Sequence, residues 1–191
     1  MDRRIVMACG DNTELHQLKQ MLKRLGYRVI AEATSGMDAL KAVRSTSPEV
    51  VLLDDYLPVL DGMQVAKIIC EENLAPVVLL VSQGNKGLVE RARDVSAAFL
   101  MRPYLEDQVY AAIEAAVSSY QRFSQLQQQL NELQETLKTR KILEQAKGLL
   151  IKQKGFSEEQ AYKAIQHTAM KKRTSIKSVA EAVINTYGKG P

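Results

Sequence analysis

The sequence predicts an α/β domain with a doubly wound, five-stranded parallel sheet, followed by one long helix and a small all-α domain of three helices. Three observations support this prediction. In residues 1–118, short apolar runs alternate with segments whose apolar residues recur at helical spacing. Residues 109–144 contain neither Gly nor Pro. Residues 138–191 show only the helical period, in three segments.

The strands are predicted at largely apolar runs of four or five residues, which are typical of parallel strands buried on both faces. These runs are residues 5–8, 29–33, 50–53, 77–81 and 97–101. The helices between them have apolar residues three or four positions apart, and breakers such as Gly26 and Pro48 limit them. They are residues 15–25, 39–43, 65–69, a weaker segment at 88–95, and a helix from 105 onward.

The composition excludes several classes of protein. Hydrophobic residues make up 46% of the 191 residues and charged residues 25%, as in ordinary globular proteins. The apolar runs are far shorter than the roughly 20 residues of a membrane helix, and the N-terminus lacks a signal-peptide pattern. The two cysteines, Cys9 and Cys70, are far apart, which favours a reducing cytosol over a disulfide framework or a zinc site. We therefore expect a cytoplasmic protein with no membrane segment.

The charge is distributed unevenly along the chain. Residues 1–137 hold 14 Lys and Arg against 18 Asp and Glu, a net charge of −4. Residues 138–191 hold 12 Lys and Arg against 4 Asp and Glu, a net charge of +8. A basic final domain favours a polyanionic partner, and a solvated, lysine-rich helical surface is the alternative.

Polar residues follow four of the predicted strands. Asp11, Asp54, Ser82 and Arg102 come at or just after the carboxyl ends of strands one, three, four and five. These ends meet at one edge of a parallel sheet, where α/β proteins form their sites. Carboxylates ligate hard cations such as Mg²⁺, and a hydroxyl and a guanidinium bind phosphoryl oxygens. The pattern predicts a phosphoryl and Mg²⁺ site, although the loops of any α/β protein carry polar residues.

Residues 54–62, Asp-Asp-Tyr-Leu-Pro-Val-Leu-Asp-Gly, resemble the phosphoacceptor loop of response-regulator receiver domains. Ser82 and Arg102 fall where that family places its hydroxyl and its lysine. The resemblance covers about residues 3–118. It implies the flavodoxin-like receiver fold, with Asp54 as the phosphoacceptor and Phe99 at the family's aromatic switch position.

The chain departs from the receiver pattern around the metal. The family holds Mg²⁺ with an acidic pair after the first strand, and those positions are Cys9 and Gly10 here. Asp11 could replace one of these acids beside Asp54, but it starts the next turn. Arg102 keeps the charge of the family lysine without its compact geometry. We therefore expect weak or absent Mg²⁺ binding and favour a pseudo-receiver without Mg²⁺-dependent phosphorylation, with phosphorylation of Asp54 as the alternative.

The predicted long helix carries a short coiled-coil seam. Its leucines lie four, three and four residues apart, with Gln and Glu among the residues between them, at Leu126, Leu130, Leu133 and Leu137. This spacing favours a coiled coil in residues 119–137 and hence a homodimer. A single helix that packs on its own chain would give the same pattern over so short a frame.

Three helices are predicted in residues 138–191. The first continues the long helix and ends at Gly155, and a Ser-Glu-Glu-Gln capping box from Ser157 opens the second. Ser175 or Thr174 caps the third. So small a core needs support from the coil or from a second chain.

The same segment resembles the ANTAR domain through an ordered set of short motifs. They are Ala-Lys-Gly-Leu-Leu at 146–150, Ser-Glu-Glu-Gln-Ala-Tyr at 157–162, Ala-Met at 169–170 and Val-Ala-Glu at 179–181. In that family the domain follows a receiver and a coiled coil in transcription antiterminators, and it binds RNA hairpins. The resemblance implies a regulator that binds paired hairpins in leader RNA and prevents a terminator from forming, controlled by its receiver through dimerisation.

A DNA-binding response regulator is the alternative, because a basic three-helix domain can also be a helix-turn-helix. The sequence lacks the expected tight turn, since the basic stretch 171–174 separates the second and third helices. No catalytic base accompanies Asp54, so we do not expect an enzyme. Either regulator would receive its signal from a sensor histidine kinase or another regulatory protein.

The RNA contacts are predicted on the last domain, because cations neutralise RNA phosphates. Gly148 belongs to the set because a glycine inside a helix costs about 1 kcal/mol relative to alanine, which a close approach of RNA or of a neighbouring helix would offset. The full set is Arg140, Lys141, Lys147, Gly148, Lys171, Lys172, Arg173 and Lys177.

Overall fold

The structure is a computed structural model that describes residues 3–82 and 98–188. Within these residues it contains the strands β1 (Arg4–Ala8), β2 (Arg28–Ala33), β3 (Val50–Asp54), β4 (Val77–Val81) and β5 (Ala98–Met101). Its helices are α1 (Asn12–Arg24), α2 (Gly36–Thr46), α3 (Gly62–Glu71), α4 (Glu106–Lys154), α5 (Glu158–Lys172) and α6 (Ile176–Tyr187). None of these helices is long and apolar enough to cross a membrane.

The five strands form one parallel sheet in the order β2-β1-β3-β4-β5. This confirms the doubly wound sheet, and each strand lies within one residue of its predicted run. The first three helices begin three residues before their predicted starts, and capping residues such as Asp11 and Ser35 fix the earlier starts of the first two. The helix predicted at 88–95 lies outside the described residues.

Two apolar layers enclose the sheet and place its central strand. Successive side chains of a strand point to opposite faces. Leu53 therefore packs with α2 and α3, while Leu52 packs with α1 and the first turns of α4. Burying one such side chain stabilises the fold by about 1.5–3 kcal/mol. These contacts hold β3 at the centre and leave its last residue, Asp54, at the carboxyl edge of the sheet.

One helix, α4, belongs to both compact units of the chain, which divide after Ser124. It is 49 residues long, so it contains the whole Gly- and Pro-free stretch 109–144 and continues through Gly148. Ile113 and Ala116 are fully buried in the core of the first unit. Ala146 and Leu150 lie in the core of the second unit.

Capping residues determine where the two short helices of the second unit, α5 and α6, begin. Ser157 Oγ accepts from the Gln160 N–H at 3.2 Å, and Gln160 Oε1 accepts from the Ser157 N–H at 2.9 Å, which is the predicted capping box. Ser175, rather than Thr174, caps α6 through the Ser178 N–H. The sequence places Lys171 and Lys172 between the two helices, whereas they form the last turn of α5. The connector is therefore only residues 173–175.

Candidate functional site

Asp54 and Arg102 meet at the carboxyl edge of the sheet. Asp54 ends β3, and Arg102 follows directly after β5. Arg102 Nη2 donates to Asp54 Oδ1 at 2.8 Å. The parallel sheet thus brings together two residues that lie far apart in the sequence.

Arg102 also binds Glu14, a residue that the sequence analysis missed. Its Nε donates to Glu14 Oε1 at 2.6 Å, and the Tyr104 hydroxyl donates to the same oxygen at 2.8 Å. Burial acts to lower the pKa of Arg102, but the hydrogen bond to Glu14 and the charge of Asp54 outweigh it, so the pKa is raised. The guanidinium is a permanent cation held between two carboxylates.

The second oxygen of Asp54 faces Cys9. The buried Cys9 Sγ donates to Asp54 Oδ2 at 3.3 Å. Burial raises the pKa of Cys9 to about 12, and the negative charge of Asp54 adds to the effect. Cys9 is therefore a thiol at neutral pH and acts as a donor. Both oxygens of Asp54 are engaged, one by a guanidinium and one by a thiol.

Asp55 is a third carboxylate beside Arg102. Its side chain is 6% exposed, and the backbone N–H of Ser82 donates to its Oδ2 at 3.4 Å. Asp55 Oδ1 and Arg102 Nη1 lie 3.8 Å apart, and neither has a hydrogen-bond partner among the described residues. Burial, and then the hydrogen bond with Asp54, raises the pKa of Asp55. Three carboxylates therefore surround one guanidinium.

Asp11 caps α1. Its Oδ1 accepts from the backbone N–H groups of Thr13 at 2.7 Å and Glu14 at 3.3 Å, and these bonds lower the pKa of Asp11. Glu14, one turn further along the helix, lies beside Asp54, and their carboxylates and the Cys9 sulfur fall within 4.8 Å of one another. Asp11 lines, with Ser82 and Arg102, a cavity of about 630 Å³ at this edge.

The loop after β3 has steric requirements of its own. A Cβ on Gly62 would collide with the backbone carbonyl of Asp54, so only glycine fits there. Val59 has a φ of 72°, a conformation that β-branched residues rarely adopt.

Phe99, at the predicted switch position, is partly buried in β5 against the apolar layer that contains α2 and α3.

The four leucines of the predicted seam are exposed in the single chain. Leu126 is 66% exposed, Leu130 48%, Leu133 63% and Leu137 58%. Four large apolar side chains at heptad spacing on one exposed stripe are expected to pack against another apolar surface. The described part of this chain does not supply that surface.

Two of the predicted RNA-binding cations are paired within the second unit. Lys147 is buried, and its Nζ lies 2.8 Å from both Glu144 Oε1 and Glu158 Oε1. Hydrogen bonds to Glu144 and then Glu158 raise the pKa of Lys147. Lys177 Nζ likewise donates to Glu135 Oε2 at 2.8 Å. Lys147 thus fastens the first turn of α5 to α4.

The other predicted cations are exposed. Within the described residues they form no salt bridge with a carboxylate, and they are Arg140, Lys141, Lys171, Lys172 and Arg173. Arg173 ends α5 in the left-handed conformation, with a φ of 50°. These side chains leave a basic surface open on α4 and at the end of α5.

Two protein-family models match the chain. The response regulator receiver domain matches residues 6–114, and the ANTAR domain matches residues 131–184. The chain belongs to the ANTAR response regulators. Both resemblances drawn from the sequence motifs are confirmed.

Individual relatives of this ANTAR response regulator cover different parts of it. The transcriptional regulatory protein PdtaR of Mycobacterium tuberculosis is 38% identical over 187 residues, which are 97% of this chain and 91% of PdtaR. The chemotaxis protein CheY of Listeria monocytogenes is 32% identical over 101 residues, 52% of this chain and 85% of CheY. The solved signal receiver domain of a modulated diguanylate cyclase from Desulfovibrio desulfuricans G20 has a TM-score of 0.59 at 22% identity, over 63% of this chain and 98% of that domain.

The Mg²⁺ that the receiver family implies does not fit this pocket. Mg²⁺ requires near-octahedral oxygen ligands. Of the three clustered groups, Cys9 offers a protonated sulfur, Glu14 Oε1 and Asp54 Oδ1 already accept hydrogen bonds from Arg102, and Asp54 Oδ2 accepts from Cys9. A fixed cation at that position also repels a second one.

Replacing Asp55 by Asn is expected to raise thermal stability at pH 7. The fold raises the pKa of Asp55, so this group contributes stability at low pH that is lost as the pH rises through its folded pKa. The neutral amide avoids that loss. Thermal unfolding followed by circular dichroism should show a gain at pH 7 that shrinks as the pH falls toward about 4.

Asp11→Asn is the matched control and has the opposite sign. The fold lowers the pKa of Asp11, so its charged form contributes stability above the unfolded pKa, which is lost as the pH falls through the folded pKa. This variant should melt below the parent at pH 7. If Asp55→Asn also melted below the parent there, the charge of Asp55 would be stabilising and the prediction wrong.

Acetyl phosphate with Mg²⁺ is expected to leave the intact mass of the chain unchanged. Both oxygens of Asp54 are engaged, and Cys9 and Gly10 occupy the positions of the family's acidic pair. The combined variant Cys9→Glu, Gly10→Asp and Arg102→Lys restores the family pattern and should gain a phosphoryl group. Stoichiometric labelling of the parent, lost in Asp54→Asn, would contradict the prediction.

Proposed function

We propose that the chain is a signal-responsive, RNA-binding transcription antiterminator. The observation that carries the proposal is the set of exposed cations on the ANTAR domain that form no salt bridge with any carboxylate the structure describes, in a segment with a net charge of +8. Such a surface fits a polyanion with accessible phosphates. The similarity to PdtaR, which is named a transcriptional regulatory protein, supports a role in transcription.

Binding would act on the folding of leader RNA. RNA loops expose unstacked bases and a bent phosphate backbone, which cations and flat groups recognise. A hairpin held by the ANTAR domain is not available to form a terminator, so the polymerase continues. The protein regulates without catalysing a reaction.

The exposed leucine stripe supports a homodimer. A parallel coiled coil would bury Leu126, Leu130, Leu133 and Leu137 against their copies. The dimer presents two ANTAR domains to paired hairpins, so the second contact is intramolecular and each domain binds only weakly by itself. This proposal divides the chain into a receiver at 1–118, a coil at 119–137 and an ANTAR domain at 138–191.

The receiver would control dimerisation as a pseudo-receiver. Arg102 keeps the positive charge of the family lysine beside Asp54. The signal then comes from a regulatory protein that binds the receiver and favours one oligomeric state. A sensor histidine kinase is the partner in the alternative case, in which Asp54 accepts a phosphoryl group.

A DNA-binding regulator is the second candidate, because α5 and α6 are joined by three residues, which is the turn length of a helix-turn-helix. Gel-shift titration decides between the two functions. The parent chain is mixed with a pool of RNA hairpins with randomised loops and, separately, with a pool of randomised duplex DNA. Enrichment of specific hairpins supports the antiterminator, and enrichment of specific duplexes alone refutes it.

Lys172→Ala combined with Arg173→Ala is expected to weaken RNA binding without unfolding the helices. Each lost phosphate contact should remove roughly 0.7–0.9 of a unit from the slope of log affinity against log salt. Lys163→Ala is the matched control, because Lys163 is exposed on the same helix but pairs with Glu159. Unchanged affinity and slope in the double variant would mean that these cations are only a solvated surface.

Leu130→Ala combined with Leu137→Ala is expected to give a monomer that keeps its receiver fold. Each truncation costs about 2–5 kcal/mol if the side chain is buried, and a two-chain interface contains each change twice. Sedimentation measures the oligomer, and titration measures the affinity for a paired-hairpin RNA, which should fall more than that for a single hairpin.

Gln128→Ala combined with Asn131→Ala is the control, because both residues are exposed and lie off the leucine stripe. It should stay dimeric. A leucine variant that is monomeric yet binds the paired RNA as tightly as the parent would refute the dimer model.

A further inference from the structure

Gly148 has no structural reason to be glycine within the described residues. A Cβ on Gly36 or Gly62 would collide with backbone, and Gly26 and Gly155 have φ values of 81° and 66°. A Cβ on Gly148, in the interior of α4, would meet no atom of the described residues within 4 Å. Glycine there weakens the helix relative to alanine, because it has more backbone freedom to lose on folding.

A glycine inside a helix can be explained by a close approach of RNA or of a neighbouring helix. The open space around Gly148 excludes a neighbouring helix of the described chain. No neighbouring helix of the described chain approaches it closely enough to require a missing side chain. A molecule outside the chain is the remaining candidate for a close approach.

The surroundings of Gly148 indicate the charge of that molecule. Lys152 lies four residues after it and Lys141 seven residues before it, so both occupy the same face of α4. Both lysines are exposed and form no salt bridge among the described residues, whereas the neighbouring Lys147 is neutralised by two glutamates. Ile151, also on this face, is 40% exposed.

We propose that the RNA backbone contacts α4 at Gly148, and that Lys141 and Lys152 neutralise the phosphates on either side of this contact. This inference rests on the proposed RNA-binding function and names the contact surface. The missing Cβ lets the sugar-phosphate chain lie directly on the helix, and Ile151 offers an apolar surface to an adjacent ribose or base. The weaker helix is the cost of that close approach.

A second copy of this chain fits the same face less well. In the parallel coiled coil that the leucines favour, the a and d positions meet their copies. The leucine frame continued along α4 leaves Lys141, Gly148 and Lys152 outside those positions, and an interface on this basic face would bring like charges together, which repel. The polyanion is therefore the occupant that the charges favour.

Gly148→Ala tests the contact because its two expected effects have opposite signs. The variant should unfold at a higher temperature, by up to about 4 °C, because alanine stabilises an exposed helix position. It should nevertheless bind about tenfold more weakly to a hairpin that the parent chain selects from the randomised pool. A purely structural role would move stability and affinity together.

Gln153→Ala is the matched control, an exposed position of the same helix that points away from Gly148. It should leave the affinity unchanged. Lys152→Gln should lower the salt slope by roughly 0.7–0.9 of a unit.

The outcomes separate the contact from the function. A Gly148→Ala chain that binds RNA as tightly as the parent overturns the contact but leaves the proposed function intact. Loss of the dimer in Gly148→Ala, measured by sedimentation, would show that a second chain occupies the face and also overturns the contact. A parent chain that selects no hairpin at all refutes the proposed function itself.

Discussion

The uninterrupted hydrogen-bond ladder of α4 is the element on which the rest of the molecule depends. Its first turns bury Ile113 and Ala116 in the receiver core, and its last turns bury Ala146 and Leu150 in the ANTAR core. Helix formation is cooperative, so a helix anchored in a core at each end is stabilised along its middle as well. Local pairs such as Gln128 with Glu132, at 2.8 Å, add a few tenths of a kcal/mol each.

Arg102 changes the character of the receiver pocket. A metal ion attracts ligands from all directions, whereas a guanidinium donates only in its plane and at a fixed spacing. Glu14 and Asp54 each accept one of its N–H groups and are oriented by it. The pKa of the buried Asp55 beside them is raised by burial and then by its hydrogen bond with Asp54, although the charge of Arg102 acts to lower it. The pocket is therefore built for a fixed charge arrangement and differs in that respect from an open metal site.

The sequence predicts the fold well because both of its periodicities are strong. Five apolar runs and the interrupted helical pattern around them locate the sheet, and the spacing between Asp54 and the Asp-Gly pair locates the acceptor loop. Helix starts are less accurate, since capping residues such as Ser35 carry no apolar signal.

The pairing of charges is the part that the sequence does not reveal. Glu14 lies 88 positions from Arg102, and no local pattern connects them. Lys147 looks like a free cation within a basic segment, but Glu158, eleven residues later, returns beside it when α5 folds back. Whether a charge is available to a ligand depends on such tertiary contacts, which periodicity and composition do not encode.

The exposed leucine stripe restricts how this helix can vary in length among related regulators. Side chains rotate by about 100° per residue around an α-helix, so a single inserted residue after Leu130 would move Leu133 and Leu137 to a different face. Seven inserted residues return the stripe to within about 20° of its original direction. Chains that rely on the same seam are therefore expected to differ in the length of this segment by whole heptads.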